Sequence, residues 1–124
     1  MPEKDRDLKQ RRKMGRQFER QAALFFKETG FEILEQNYFA GHREIDLIVK
    51  KENLIVFVEV KSSSSKKFGH PVERVDSKKI INLTKAAQHY LKESEIENCD
   101  LRFDIVTFID GKIEHFPNAF EAME

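Results

Sequence analysis

Leu54-Ile55-Val56-Phe57-Val58-Glu59-Val60-Lys61 is a near-continuous run of β-branched and aromatic residues that closes on two charges. Such a run reads as a strand covered on both faces. A carboxylate and an ammonium deep in that strand cost several kcal/mol unless something compensates them. Side chains alternate along a strand, so Glu59 and Lys61 share a face. Residues 47–58 separate Glu59 from Asp46, which sits in a second strand-like segment, Glu44-Ile45-Asp46-Leu47-Ile48-Val49. There the same alternation joins Glu44 to Asp46. Two short strands thus aim three acids and one lysine at a single spot, and a divalent cation is the simplest compensation.

Outward from these strands, Lys51-Glu52-Asn53 is a polar turn that makes the pair a hairpin, and Ala40-Gly41-His42 is a turn before it. Phe31 to Phe39 alternates as a strand. A helical period starts near Met14, with Met14, Phe18, Ala22, Phe25 and Phe26 on one stripe, and Thr29-Gly30 ends it. Residues 1–13 are almost wholly polar and are expected to fray as a charged arm ahead of the domain at 14–124. After the hairpin, the stretch from Ser62 to Pro71 reads as a flexible loop. A second helix follows at 77–92, capped by Asp76 or Ser77. Its apolar stripe is Ile80, Ile81, Leu83, Ala87, Tyr90 and Leu91. Leu101 to Ile109 is another strand, and Asp110-Gly111 turns it into a short one at 112–116 with a tail from Asn118. This order predicts a single α/β domain with a mixed central sheet flanked by helices.

At 124 residues, 40% hydrophobic and 35% charged, the chain can bury a core without staples. No apolar stretch approaches the roughly 20 residues that span a bilayer. The N-terminus is charged, which gives no sign of a secretory signal. Cys99 is the single cysteine, excluding a disulfide framework and a thiolate zinc cluster within one chain. A reducing, cytoplasmic location is expected. Net charge is zero, but it is unevenly spread. Residues 1–20 hold eight Lys/Arg against four Asp/Glu, a balance of +4, and residues 61–85 hold seven against two, a balance of +5. The remainder carries −9, so a basic surface beside an acidic site is compatible with overall neutrality.

Two acids on neighbouring strands suit a hard cation such as Mg²⁺ or Mn²⁺ held through oxygen, with the Val60 carbonyl as a further ligand. A lysine two residues past the second acid can orient a metal-bound water or stabilise charge on a pentavalent phosphorus. Phosphodiester cleavage needs a nucleophilic water, charge neutralisation and a polarised leaving group. The pattern supplies candidates for all three.

Asp46 with Glu59-Val60-Lys61 resembles the core of the PD-(D/E)xK, restriction-endonuclease-like nucleases. More closely, the chain resembles the YraN-like family of small bacterial proteins. The likeness runs through residues 14–120. It includes Gly15, Glu19 and Ala22; Gly30-Phe31 with Asn37; Glu44 to Ile48; Val56 to Lys61; and Phe68-Gly69. Lys79, Ala86/Ala87 to Tyr90-Leu91, Arg102-Phe103-Asp104 and Asn118-Ala119-Phe120 complete it. The resemblance implies a restriction-endonuclease-like fold, Asp46 and Glu59 as metal ligands, and Lys61 as the catalytic lysine. It also implies Glu19 as a first-helix acid reaching the site. The family's usual glycine before the Glu-Ile-Asp triplet is Arg43 here, a candidate phosphate contact. Lys66, Lys67 and Lys79 are further candidates for contacting nucleic acid, and Lys78 and Lys85 would extend that strip. The family likeness further allows a homodimer, with Phe39 or Phe116 as contacts, or an unidentified protein partner.

The expected function is a metal-dependent nuclease acting on DNA or RNA, with branched or single-stranded structures as candidate substrates. The alternative is a nucleic-acid-binding module on the same fold without turnover, and a third is a purely structural protein in which the acids and lysine form a buried ion cluster. Elsewhere, Arg102 and Asp104 face the same way on their strand and are expected to pair as a fold-specifying contact. His42, His70, His89 and His115 show no ligand spacing and read as surface or turn residues. The eleven phenylalanines follow the helical and strand periods, which assigns them to the core rather than to base-stacking platforms.

Overall fold

The computed structural model describes residues 3–63 and 75–123, and for residues 3–14 and Ser63 it describes the backbone alone. Seven elements follow in order: α1 (Glu3–Glu28), β1 (Glu32–Ala40), β2 (Arg43–Lys51), β3 (Leu54–Ser63), α2 (Ser77–Glu93), β4 (Asp100–Ile109) and β5 (Lys112–Phe120). Element types and order match the sequence expectation. Two elements are longer than expected. α1 begins at Glu3: apart from Asp5 and Asp7, its first turns are Glu, Lys, Arg, Gln and Leu, with neither Gly nor Pro. β5 continues through Pro117 to Phe120, which an edge strand permits because a missing N–H on its free side costs no ladder bond.

The five strands lie in the order β1-β2-β3-β4-β5. Neighbours are antiparallel except β3 and β4, which run parallel from Leu54↔Asp100 to Ser63↔Ile109. That one parallel pair needs a long crossover, and α2 provides it. Asp76 caps α2 by accepting from the Lys79 N–H at 2.9 Å.

The two helices cover opposite faces. Ala22, Ala23 and Phe26 of α1 pack on Leu47, Val49, Val56, Val58, Val106 and Phe108. On the other face Leu83, Ala86, Ala87 and Tyr90 of α2 pack on Ile48, Ile55, Phe57 and Phe103. Burial on both faces is why β2 and β3 carry unbroken apolar runs. Each fully buried Val, Ile or Phe contributes about 1.5–3 kcal/mol, which lets the centre of the sheet carry buried carboxylates. The molecule is a single α/β domain with a mixed five-stranded sheet between two helices, consistent with a restriction-endonuclease-like fold.

One assignment to the core fails. Phe39 is 60% exposed, because its neighbours Tyr38 and Ala40 join the α2-side cluster and strand alternation turns the ring between them the other way. Among the described residues, no helix is long and apolar enough to cross a membrane.

Candidate functional site

Strict alternation breaks at Asp46. Ile45 and Ile48 pack toward α2, while Leu47 and Val49 pack toward α1. The β2–β3 ladder runs from Lys51↔Leu54 to Leu47↔Val58, so Asp46 stands where β2 begins to part from β3. Its Oδ2 accepts the Val60 N–H at 2.7 Å, a backbone donor left open on that side of β3. On β1, the flanking pairs Gln36↔Leu47 and Tyr38↔Ile45 place Asn37 opposite Asp46. Asn37 has φ 52°, a left-handed conformation that asparagine tolerates better than most side chains. The same distortion turns its amide toward α1, where Nδ2 donates to Glu19 Oε2 at 2.6 Å.

Three carboxylates converge as a result. Glu19 of α1 and Glu44 and Asp46 of β2 each offer an oxygen, and these oxygens lie within 4.8 Å of one another. Asp46 is buried, with 8% of its surface exposed, and Glu19 and Glu44 are half-buried. Burial pushes the Asp46 carboxyl well above the usual range. The charges of Glu59 and Glu19 and a hydrogen bond with the Glu44 carboxyl push it the same way, against the Val60 N–H. Among the described residues, none of the three acids has a cationic side chain in an ion pair.

Glu59 adjoins this group and acts electrostatically on Asp46. It is also buried, and burial raises its carboxyl, but Lys79 and then Lys61 pull against that rise. Lys79, on the first turn of α2, makes a 3.1 Å ion pair with Glu59 Oε1. Desolvation lowers the Lys79 ammonium, yet Glu59, Asp46 and Glu44 outweigh it and hold it above its ordinary value. Lys61 is half-buried, lies two residues along β3 from Glu59, and its charge acts on that carboxylate.

All the acids of the sequence pattern therefore meet, but not as one equivalent set. Glu19, Glu44 and Asp46 form the triple with converging oxygens, while Glu59 is the member with lysine partners. Val60 contributes its N–H to Asp46. Arg43 is half-buried, and its Nε donates to Asn82 Oδ1 at 3.3 Å. Lys66 and Lys67 lie outside the described residues. Two participants carried no signal in a helix-and-strand reading: Asn37, whose role needs the positive φ, and Asn82, which meets Arg43 only through tertiary packing.

On β4 the expected pair is present. Asp104, fully buried, receives Arg102 Nε at 2.7 Å and Nη2 at 2.8 Å. His115, read as a surface or turn residue, is half-buried there instead. Its Nε2 lies 2.7 Å from Asp104 Oδ2, and its ring sits edge-on to Phe25 and Phe26. His115 is the cross-strand partner of Val106, which packs toward α1, so regular pairing puts the imidazole on that face. Asn118, with φ 53°, completes the set by donating its N–H to Asp104 Oδ1 at 2.9 Å. Burial would raise the Asp104 carboxyl, but His115, Arg102 and the Asn118 N–H together hold it below its usual value.

A model of the uncharacterised protein family UPF0102 matches residues 18–108. A UPF0102 protein of Chloroherpeton thalassium is 43% identical over 95 residues, covering 77% of this chain and 74% of that protein. One from Syntrophomonas wolfei is 42% identical over 113 residues, covering 88% and 98%. A third, from Persephonella marina, is 37% identical over 107 residues, covering 86% and 92%. Among solved structures, one titled "Crystal structure of SSO0001" aligns with 90% of this chain and 52% of its own at 17% identity and a TM-score of 0.44. That last likeness is too distant to argue from.

Proposed function

This chain belongs to the uncharacterised protein family UPF0102, the YraN-like group its strand motifs resemble, and we propose that it is a metal-dependent nuclease hydrolysing phosphodiester bonds in DNA or RNA. The observation that carries the reading is the convergence of Glu19, Glu44 and Asp46 on one point, with Asp46 buried and, among the described residues, no cation in an ion pair with any of the three. Carboxylates pressed together with no direct ion-pair partner among the described residues are a costly arrangement for a fold to keep. An all-oxygen donor set of this charge fits Mg²⁺ or Mn²⁺.

Glu19, Glu44 and Asp46 would hold the ion, with Glu59 beside them. When bound, the ion supplies a water of lowered pKa and polarises a phosphoryl oxygen. The Val60 N–H fixes the rotamer of Asp46, and Asn37 does the same for Glu19. Lys79 pulls against the rise that burial gives the Glu59 carboxyl. Lys61 supplies an ammonium at the open side of the site, where negative charge grows on phosphorus. Arg43 and the lysines of α2 would meet the polynucleotide backbone, and the reading places the protein with nucleic acid in the cytoplasm.

The test is cleavage of labelled single-stranded, duplex, flapped and four-way-junction DNA and of RNA, with and without Mg²⁺ or Mn²⁺, by wild type and Lys61→Ala prepared in parallel. Metal-dependent cutting that disappears in Lys61→Ala is the expected result. Equal cutting by both proteins would remove Lys61 from the chemistry. No cutting by either, with salt-sensitive binding retained, would replace the nuclease with a binding module.

A further inference from the structure

Phe39 has more of its surface exposed than any other large apolar side chain among the described residues, at 60%. Burying a phenylalanine is worth about 1.5–3 kcal/mol, so a ring left in water on a well-packed sheet asks for a reason. Its position is specific. Phe39 is the cross-strand partner of Glu44, one of the three converging acids. Directly paired residues on antiparallel strands have Cβ atoms only about 4.5–5.5 Å apart, on one face. The ring therefore stands at the rim of the acidic cluster, on the face away from Tyr38 and Ala40.

The surroundings select the kind of ligand. The other exposed apolar side chains lie elsewhere: Leu24 and Ile113 share a hollow with Phe25 and Phe108, and Leu101 pairs with Ile55 near the start of β4. Around Phe39 the sequence neighbours on the surface are Gly41, exposed His42, half-buried Arg43 and half-buried Glu44. A protein partner needs a contiguous apolar core at its interface, which one ring among polar groups does not offer. A nucleobase needs only one aromatic face, with charge nearby for its phosphate.

We propose that Phe39 is a stacking platform for an unpaired nucleobase, adjoining the phosphate handled by the acidic cluster, so that the preferred substrate carries unpaired bases. This rests on the nucleic-acid reading above and narrows its substrate class. Stacking on one ring is sequence-tolerant, since every base has a π-face.

The experiment uses a single-stranded DNA oligonucleotide carrying 2-aminopurine, whose fluorescence falls on stacking, titrated in Ca²⁺ with wild type, Phe39→Ala, Phe39→Leu and Phe39→Trp. Because the side chain is exposed, all four proteins are expected to melt alike. Quenching in wild type and Phe39→Trp is expected, with affinity at least about fivefold weaker and quenching lost in Phe39→Ala and Phe39→Leu. Affinity for a fully paired duplex should be the same in all four. Unchanged quenching in Phe39→Ala, full binding by Phe39→Leu, or no quenching by wild type would each overturn the proposal. So would a Phe39→Ala protein that changes from dimer to monomer in sedimentation while its quenching is intact. Cutting that depends on Lys61 but not on Phe39 would leave the nuclease and remove the stack. Phe39-dependent quenching without any metal-dependent cutting would do the reverse.

Discussion

Asp46 and Asp104 each stand across an antiparallel strand pair from an asparagine with positive φ, Asn37 or Asn118, and their surroundings are opposite. Each is buried; Asp104 lies at the bulge between β4 and β5, whereas the β1–β2 register runs unshifted past Asp46. Around Asp104 the chain gathers a guanidinium, an imidazole and a backbone N–H, and the carboxylate is held below its usual range. Around Asp46 it gathers more carboxylates and one N–H, and the group is driven well above it. Identical chemistry at equal depth thus serves two ends. Asp104 closes its own charge balance and fixes how β4, β5 and α1 meet. Asp46 leaves a deficit of positive charge that a bound cation would fill. Burial of a carboxylate alone does not mark a functional site; what separates Asp46 is the like charge gathered around it, which is why we propose it and not Asp104 for cation binding.

The sharpest way to break that contrast is to neutralise each aspartate in turn. Asp104→Ala strands the Arg102 guanidinium and the Asn118 N–H, and by the measure of broken buried pairs it should cost roughly 3–5 kcal/mol in urea denaturation. Asp46→Asn, measured without divalent metal at neutral pH, should be neutral or stabilising, because it removes a repelled charge. A large loss in both variants would erase the distinction.

Metal should act on one side only. Added Mn²⁺ at about a hundred times its Kd should stabilise the wild type by roughly 2.7 kcal/mol, read as a higher Tm, and leave Asp46→Asn unmoved.

The pH dependences should run in opposite directions. For Asp104 the folded value is depressed, so its stabilisation is complete above the unfolded value of 3.8 and is lost as pH falls through the lower folded value. For Asp46 the folded value is raised, so the native state binds the proton more tightly and stability declines as pH climbs from 3.8 through the folded value. Metal-free stability curves of wild type, Asp104→Asn and Asp46→Asn should therefore differ on the acid limb for the first variant and above it for the second.

The asparagines give the finest comparison. Glycine accepts their backbone conformation. Asn37→Gly deletes the amide that holds Glu19 and should weaken Mn²⁺ about tenfold, as loss of an orienting partner does. Asn118→Gly keeps the N–H that serves Asp104 and should change stability by no more than about 0.5 kcal/mol.

Much of this was legible in the chain. Central strands declare themselves by unbroken apolar runs, and β2, β3 and β4 were readable for that reason. Glu44, Asp46, Glu59 and Lys61 stood out because charges interrupt those runs. The contact between Arg102 and Asp104 followed from their shared strand face. What stayed hidden depends on departures from regular geometry. Alternation assumes a uniform strand, and the irregularities at Asn37/Asp46 and opposite Asp104 violate it. The division of Glu59 from the other acids also needed α2 in place, since the Lys79 ammonium arrives from a different element. His115 reads as an edge residue until its pairing with Val106 sets it against Phe25 and Phe26 of α1. Phe39 obeys its strand's period, but that period cannot say how far along β1 the covering helix reaches.

The central claim is that Glu19, Glu44 and Asp46 form a cation site, and the direct measurement is a calorimetric titration of metal-free protein with Mn²⁺ near neutral pH. One saturable site in wild type that is abolished in Asp46→Asn and tightens as pH rises, because the acids must shed their protons, is the predicted result. No binding by wild type, or equal binding by Asp46→Asn, would contradict it.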